Sequence, residues 1–313
     1  MGPLLGRQQR ACAPQGPWLS LSIAALALAC GGDVFTLGSG DAEPSFGDEG
    51  RRVRYLNEVG NEEYDPTLTD DLLEIFFISD RVGGVGGKDV WYAERRSRTE
   101  PFDAPQLIVE ASSLSEEASP AVSGDGLTLW VASRREPTVG GMDIWRVTRP
   151  KRGGPWGMIE PVDALNSPFD DLPRPPGQRG TILPVASDRV GAVYQTFFAR
   201  RAGESNAFSG PEPVEHLWDT VASMEDAHLS DDGLHLFFRR ALRGQPGDLF
   251  VSWRTSTEEP FREPVALDAI NSTEDDRDPF LSADRARFFF SSNRRDGLGL
   301  DIYATSLDLP SFE

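Results

Sequence analysis

Residues 62–93 align on residues 116–147 without a gap at an offset of 54, which sets Ser79 over Ser133 and Asp89-Val90-Trp91 over Asp143-Ile144-Trp145. A third copy begins at Asp170 and places Ser187-Asp188-Arg189 over Ser79-Asp80-Arg81. The fourth carries Ser230-Asp231-Asp232-Gly233 and Asp248-Leu249-Phe250; the fifth carries Leu281-Ser282-Ala283-Asp284, Ser292-Asn293-Arg294 and Asp301-Ile302-Tyr303. A period of this order confines a chain to architectures in which one supersecondary unit is stacked on copies of itself.

Inside a copy, short apolar runs alternate with turn residues. In the second, Pro120-Ala121-Val122-Ser123 leads into Gly124-Asp125-Gly126, followed by runs over 127–132, 144–147 and 161–165. Four short strands joined in this way describe an antiparallel meander, and no segment holds a helical period. One such unit cannot bury both of its faces, so the copies must pack on one another, and radial packing of four-stranded sheets is a propeller. The expected fold is all-β, with five four-stranded antiparallel blades over residues 51–313. Fourth strands fall near 106–111, 160–165, 212–217 and 263–270, while the fifth copy ends after its third strand. Residues 53–57 match Leu165-Asn166 and Ile270-Asn271 in pattern, so an N-terminal strand there is expected to complete the last blade and remove an exposed edge.

The N-terminus has a different character. Arg7 and Arg10 precede twelve apolar or small residues from Trp18 to Ala29, too few to cross a bilayer, which takes about 20. Residues 1–30 read as an export signal. Ala27-Leu28-Ala29-Cys30-Gly31 resembles a bacterial lipoprotein processing box, with Ala27 where such boxes usually carry Leu; this makes Cys30 the expected lipidation site, the alternative being ordinary signal cleavage nearby. Cys12 and Cys30 are the two cysteines, so no disulfide can hold the mature fold. Residues 31–50, with six Gly and five acids, read as a flexible tether. Loss of the leader's two Arg moves the formal net charge from −19 to −21, which disfavours nucleic-acid and anionic-membrane partners and suits a soluble, cation-tolerant surface.

The repeats resemble the TolB-like (WD40-like) β-propeller family, in which an S-P-D-G turn, an aromatic strand, S-D-R, G-G and D-I-Y or D-I-W follow in order. The matching stretches are SGDGLTLWVASRR with GGMDIW, ISDRVGGVGGKDVW, and LSADRARFFFSSNRR with LDIY, and the likeness covers residues 52–308. The third copy departs: Pro175-Pro176-Gly177-Gln178 replaces the turn motif, and Gln195-Thr196-Phe197 stands near the D-I-W position. The resemblance implies an exported envelope protein, periplasmic or at the cell surface, that binds other proteins or a polar or glycan ligand without catalysis. It implies a monomer that touches the membrane through its lipid anchor alone.

In a meander, the start of strand one, the end of strand two and the start of strand three share one face of the disc. Arg81, Arg135, Arg189 and Arg294, with Arg240 nearby, end the second strands, and Asp89, Asp143, Asp248 and Asp301 begin the third. Because the arrangement recurs in every blade, it reads as a structural ion-pair clamp between carboxylates. Asp65, Asp226 and Asp278 occupy one repeat column without a matching Arg; with His228 beside Asp226 they are the candidate channel-mouth residues, suited to a cation or polar ligand. No other cofactor is implied. A second reading is a five-bladed glycoside hydrolase using channel-lining carboxylates, which needs two of them about 5–10 Å apart across an open pocket. His216, His228 and His235 lack metal-ligand spacing, and the Walker, G-x-S-x-G and H-E-x-x-H patterns are missing. Trp91, Trp145, Phe250 and Tyr303 share one strand-three position, and Phe102, Trp156, Phe208 and Phe261 recur before strand four, both columns suited to packing between blades; Trp218 and Trp253 fall outside these columns and are candidate contact residues if exposed on the loop face.

Overall fold

The computed structural model describes residues 45–46 and 49–308, apart from 192, 205, 215 and 295–298. The expected leader, Cys30 and residues 31–44 of the expected tether lie outside the described residues. What is described is a ring of five antiparallel blades. Blade 1 comprises Glu63–Leu68, Glu74–Ser79, Asp89–Glu94 and Gln106–Leu107. Blade 2 comprises Glu117–Val122, Thr128–Ser133, Asp143–Thr148 and Glu160–Pro161. Blade 3 is built from Asp171–Pro173, Ile182–Ser187, Gln195–Arg200 and Glu212–Pro213. Blade 4 follows with Ala222–Leu229, His235–Leu242, Asp248–Trp253 and Val265–Ala266. The first three strands of blade 5 are Asp276–Leu281, Arg287–Ser292 and Asp301–Asp308.

The second strands explain why the sheets arrange radially. Successive side chains of a strand point to opposite faces, and these strands are apolar on both. In blade 1, Phe76 and Ile78 pack with Val122, Leu129 and Trp145 of blade 2, whereas Ile75 and Phe77 pack with Phe280, Phe289 and Ile302 of blade 5. Comparable clusters join blades 2 and 3 around Trp130, Val185 and Phe197, blades 3 and 4 around Phe198 and Phe238, and blades 4 and 5 around Phe237, Phe288 and Phe290. The core is thus a set of inter-blade layers. The column of Trp91, Trp145, Phe250 and Tyr303 is completed by Phe197, since each pairs with the fourth strand of its own blade.

The fifth blade takes its outer edge from the N-terminal segment, but mostly ahead of the expected residues 53–57. Arg51–Arg52 pairs antiparallel with Tyr303 and Ala304, and Ser45–Phe46 pairs with Leu307 and Asp308, inside the stretch expected to be tether. Val53 adds one more bond to that edge, its N–H donating to the Ile302 carbonyl at 2.9 Å, and residues 54–57 form the crossover to blade 1. The resemblance that led to them lies in Asn57: its side-chain amide donates to the Ile302 carbonyl at 3.0 Å and accepts from the Ile302 N–H at 2.8 Å. Asn166 makes the same pair with Ile144, and Asn271 with Leu249. The shared signal is therefore an amide that mimics a strand just beyond the true one.

The arginine clamp also differs from the expected ion-pair triad. Arg81 Nη2 donates to Glu63 at 2.9 Å and to the Leu56 carbonyl, while Nε donates to Ser79 Oγ. Arg135 repeats this with Glu117, the Ala111 carbonyl and Ser133, Arg189 with Asp171, the Leu165 carbonyl and Ser187, and Arg294 with Asp276, the Ile270 carbonyl and Ser292. Each carbonyl belongs to the crossover from the preceding blade, so the guanidinium ties neighbouring blades together. The third-strand acids are not its partners. Asp89 and Asp143 accept N–H groups of their own glycine-rich loops, Asp301 pairs with Arg52 at 2.5 Å, and Asp248 is exposed, its carboxylate without a hydrogen bond among the described residues. Blade 4 has no such clamp. There Arg240 pairs with Asp219, and Arg239 holds Glu225 and Asp275.

A second arginine column, absent from the sequence expectations, locks the opposite face. Arg95, Arg149, Arg201 and Arg254 each donate through Nε to the carbonyl of the strand one–two turn (Leu72, Gly126, Gly180, Gly233) and lie 4.4–4.5 Å above Phe102, Trp156, Phe208 and Phe261.

Two substitutions test this account. Phe77→Ala, at a fully buried position between blades 1 and 5, is expected to cost about 3–5 kcal/mol in a denaturant titration. Asn57→Ala, which leaves the Ile302 N–H unpaired while the Val53 N–H still serves its carbonyl, should cost about 1–3 kcal/mol in the same measurement.

Candidate functional site: an axial carboxylate cluster

Four of the five innermost strands carry a bulge at one repeat position. The register slips between Tyr64 and Thr67, Ala118 and Ala121, Glu225 and His228, and Arg277 and Phe280. The residue inside each slip adopts positive φ: Asp65 at 59°, Ser119 at 49°, Asp226 at 58° and Asp278 at 55°. A bulge re-aims a side chain, and Asp tolerates the left-handed region better than most residues. Asp65, Asp226 and Asp278 come together in this way, each offering an oxygen within 4.8 Å of the others; Asp65 and Asp278 are buried and Asp226 is half-buried.

Blade 3 breaks the pattern. Its short first strand, Asp171–Pro173, has no bulge, and the next residue, Arg174, donates its N–H to the Pro184 carbonyl at 2.9 Å. Arg174 is among the largest fully buried side chains of the protein. Its Nη1 contacts Asp65 and lies 3.9 Å from Asp278, while Nε and Nη2 have no hydrogen-bond partner among the described residues. The third copy departs from the motif where Arg174 enters; the available signal was an Arg where the first two copies have Pro66 and Pro120, next to the column of Asp65 and Ser119.

Hydrogen bonds within the cluster are few. Asp65 accepts the Ser119 N–H at 3.0 Å, and its own N–H donates to Asp278 at 3.1 Å. Asp226 makes no hydrogen bond among the described residues. Burial and the neighbouring Asp278 push its carboxyl up to about 6, against the pull of Arg174, Arg277 and Arg239. Burial and Asp65 push Asp278 up to about 7, against Arg277 and Arg174. Burial alone would favour the neutral form of Arg174, and attraction to Asp65, Asp278 and Asp226 reverses this. Arg277, Arg239, Glu225 and Asp275 continue the charge network outward between blades 4 and 5.

His228 lies just beyond the bulge, its ring centred 4.8 Å from that of Phe280 and tilted by 56° to it. Burial, then Arg174, hold it down to about 3, so it stays neutral under ordinary conditions. It lines an axial cavity of about 30 Å³ together with Leu68, Val122, Leu229 and Leu281. Two cavities of about 650 and 680 Å³ lie at the rim between blades. Three carboxylate oxygens at this spacing are the donor set that a hard divalent cation takes. Arg174 already brings positive charge to that point, so the cluster is a buried salt-bridge knot before it is a metal site. Of the two tryptophans outside the columns, Trp218 is exposed and Trp253 is buried.

No family model matches the sequence, and no curated protein matches it. Solved structures do. A protein of unknown function from Dyadobacter fermentans aligns with a TM-score of 0.51 at 12% identity, covering 85% of this chain and 99% of that one. TolB from Acinetobacter baumannii aligns at 0.49 and 13% identity, covering 80% of this chain and 55% of TolB. A protein assigned as TolB from Agrobacterium tumefaciens aligns at 0.46 and 12% identity over 78% and 74%. The chain is a five-bladed all-β propeller, and TolB-like propellers are among its structural neighbours.

Asp278→Asn tests the electrostatics of the cluster. A carboxyl whose folded pKa is raised stabilises the fold fully below its unfolded value near 4, and that contribution is lost as pH rises through the folded value. The wild type is therefore expected to lose stability between about pH 4 and pH 7 from this group. The neutral isostere should gain on the order of 2 kcal/mol over wild type at pH 8 and almost nothing at pH 4, by thermal or denaturant unfolding across pH.

Proposed function

We propose that the protein is a non-enzymatic binding platform, exported and held at the cell envelope through Cys30, that uses the loop face formed by the strand two–three and strand four–one connections. The observation that carries this reading is the placement of exposed apolar side chains. Val59, Val82, Leu114, Val139, Phe169, Val190, Trp218 and Val221 all stand on those connections, with Val82 96% and Leu114 87% exposed. Glu62, Glu116, Asp80 and Asp188 stand among them. Large apolar groups repeated over one face of a soluble domain mark an interaction surface, and interspersed acids suit a partner with basic and apolar residues.

The hydrolase reading finds less support. Asp65 and Asp278 are engaged by Arg174 and by backbone N–H groups, and Asp65, Asp226 and Asp278 line none of the three cavities described above. Among the described residues, no helix is long and apolar enough to cross a membrane, and the proposed attachment rests on the cysteine alone.

The test is cross-linked co-purification from envelope fractions with wild type, a Leu114→Asp/Trp218→Asp variant of the loop face, and Met158→Asp on the opposite face. A partner retained by wild type and Met158→Asp but lost from the double variant is the expected result. Identical capture by all three overturns the assignment of the face. Glycan hydrolysis that disappears in Asp226→Asn overturns the non-enzymatic reading.

A further inference from the structure

The propeller repeat carves the same groove at two places on the rim, and the two copies carry opposite charge. One lies where the strand three–four loop of blade 4 meets the outer strands of blade 3; the other lies where the loop of blade 1 meets the outer strands of blade 5. Position for position, Arg95 and Phe102 in one correspond to Arg254 and Phe261 in the other, with guanidinium over ring at 4.4 and 4.5 Å. That pair belongs to the scaffold, because the same arginines hold the strand one–two turns.

The remaining charges are not shared by the two grooves. Arg51 stands where blade 3 has Glu212, Arg98 where blade 4 has Thr257, Thr99 where it has Glu258, and Arg287 where blade 3 has Ile182. The blade 5–blade 1 cavity is consequently lined by Arg51, Arg52, Arg54, Arg95, Arg98 and Arg287, in a chain whose net charge is −19. Two carboxylates share its wall, Glu100 and Asp284, and Asp284 is paired with Arg98. Arg52 is paired with Asp301. Arg54 and Arg287 are exposed, and their guanidinium groups have no partner among the described residues. Arg95 is held below the usual guanidinium range by burial and then by the charges of Arg98 and Arg287. Like charges crowded around one cavity leave a positive potential that an anion relieves.

The floor is apolar, formed by Leu72, Phe102 and Phe289, with Tyr55 at the edge and 66% exposed. At about 650 Å³ the cavity has the size of a small-molecule site and not of a flat protein contact.

We propose that this groove binds a small soluble amphiphile with one anionic head, a carboxylate or phosphate, on an apolar body of about one or two rings. Arg54 and Arg287 receive the head, and the body lies on the apolar floor. The site is separate from the loop face and does not depend on what that face binds.

Calorimetric titration of the full chain tests it with three probes: 1-naphthyl phosphate, which has head and body, inorganic phosphate, which has the head alone, and 1-naphthol, which has the body alone. 1-Naphthyl phosphate is expected to bind one to one, at least about tenfold tighter than either fragment, and to weaken as salt is raised. Arg54→Gln/Arg287→Gln, at exposed positions, should weaken it by at least about tenfold, whereas Arg200→Gln in the blade 3–blade 4 groove should change it by less than about twofold. Unchanged affinity in the Arg54/Arg287 variant overturns the proposal, as does equal loss in Arg200→Gln or failure of 1-naphthyl phosphate to bind by about 1 mM. Sedimentation with phosphatidylglycerol vesicles, without affinity for the soluble probe, would assign the arginines to a lipid surface and likewise overturn it.

Discussion

The second strand of each blade has no polar face, and the rest of the molecule follows from that. A strand such as Glu74–Ser79, with Ile75 and Phe77 turned one way and Phe76 and Ile78 the other, must be covered on both sides. In a chain that repeats one sheet five times, the cover on either side is another copy. The innermost strands then converge, and whatever their bulges present is forced into a small axial space. The grouping of Asp65, Asp226 and Asp278 is a consequence of the packing before it is anything else. Its cost explains Arg174: uncompensated buried carboxylates are expensive, and the one blade without a bulge supplies the cation.

The repeat could be read from the sequence because it is written in residues with strict local roles. The acids and glycines of the turns, the Ser and Arg that end the second strand and the aromatic of the third recur at matching places, so blade number and strand order were legible. The axial column was legible too, since Asp65, Asp226 and Asp278 align. The clamp partners were read only in part. Spacing placed Asp89, Asp143, Asp248 and Asp301 on the right face, but it could not tell that the fixed partner would be a main-chain carbonyl from the preceding blade, because carbonyls leave no mark in a sequence. The outer strand of blade 5 was placed a few residues late for a related reason: Asn57 carries the recognisable signal, whereas Arg51–Arg52 pairs through its backbone.

Two further misses differ in kind. Arg174 was harder to find by aligning repeats, because it sits where the third copy stops resembling the others. The second arginine column was visible and overlooked. Arg95, Arg149, Arg201 and Arg254 each stand seven residues before Phe102, Trp156, Phe208 and Phe261, and the aromatic half of that pattern had already been assigned to packing. The arginine half shows that the packing is a cation–π contact that also closes a turn. With it, the two faces of the disc divide their tasks: one is fastened to the turns by guanidinium groups, while the other carries the longer connections and the exposed apolar residues.

The pairing of the first and last described strands in one sheet has a mechanical reading. Ser45–Phe46 and Arg51–Arg52 lie along the last strand, Asp301–Asp308, with the Asn57 amide at the far end of the same seam. A pull on the polypeptide from its N-terminal side reaches this seam before any other part of the ring. Antiparallel with the final strand, the segment meets that load as a row of bonds, with the side-chain amide as the last stop before blade 1. Force applied there is dissipated at one edge of one blade, and the four sheets beyond it are spared until that edge has failed.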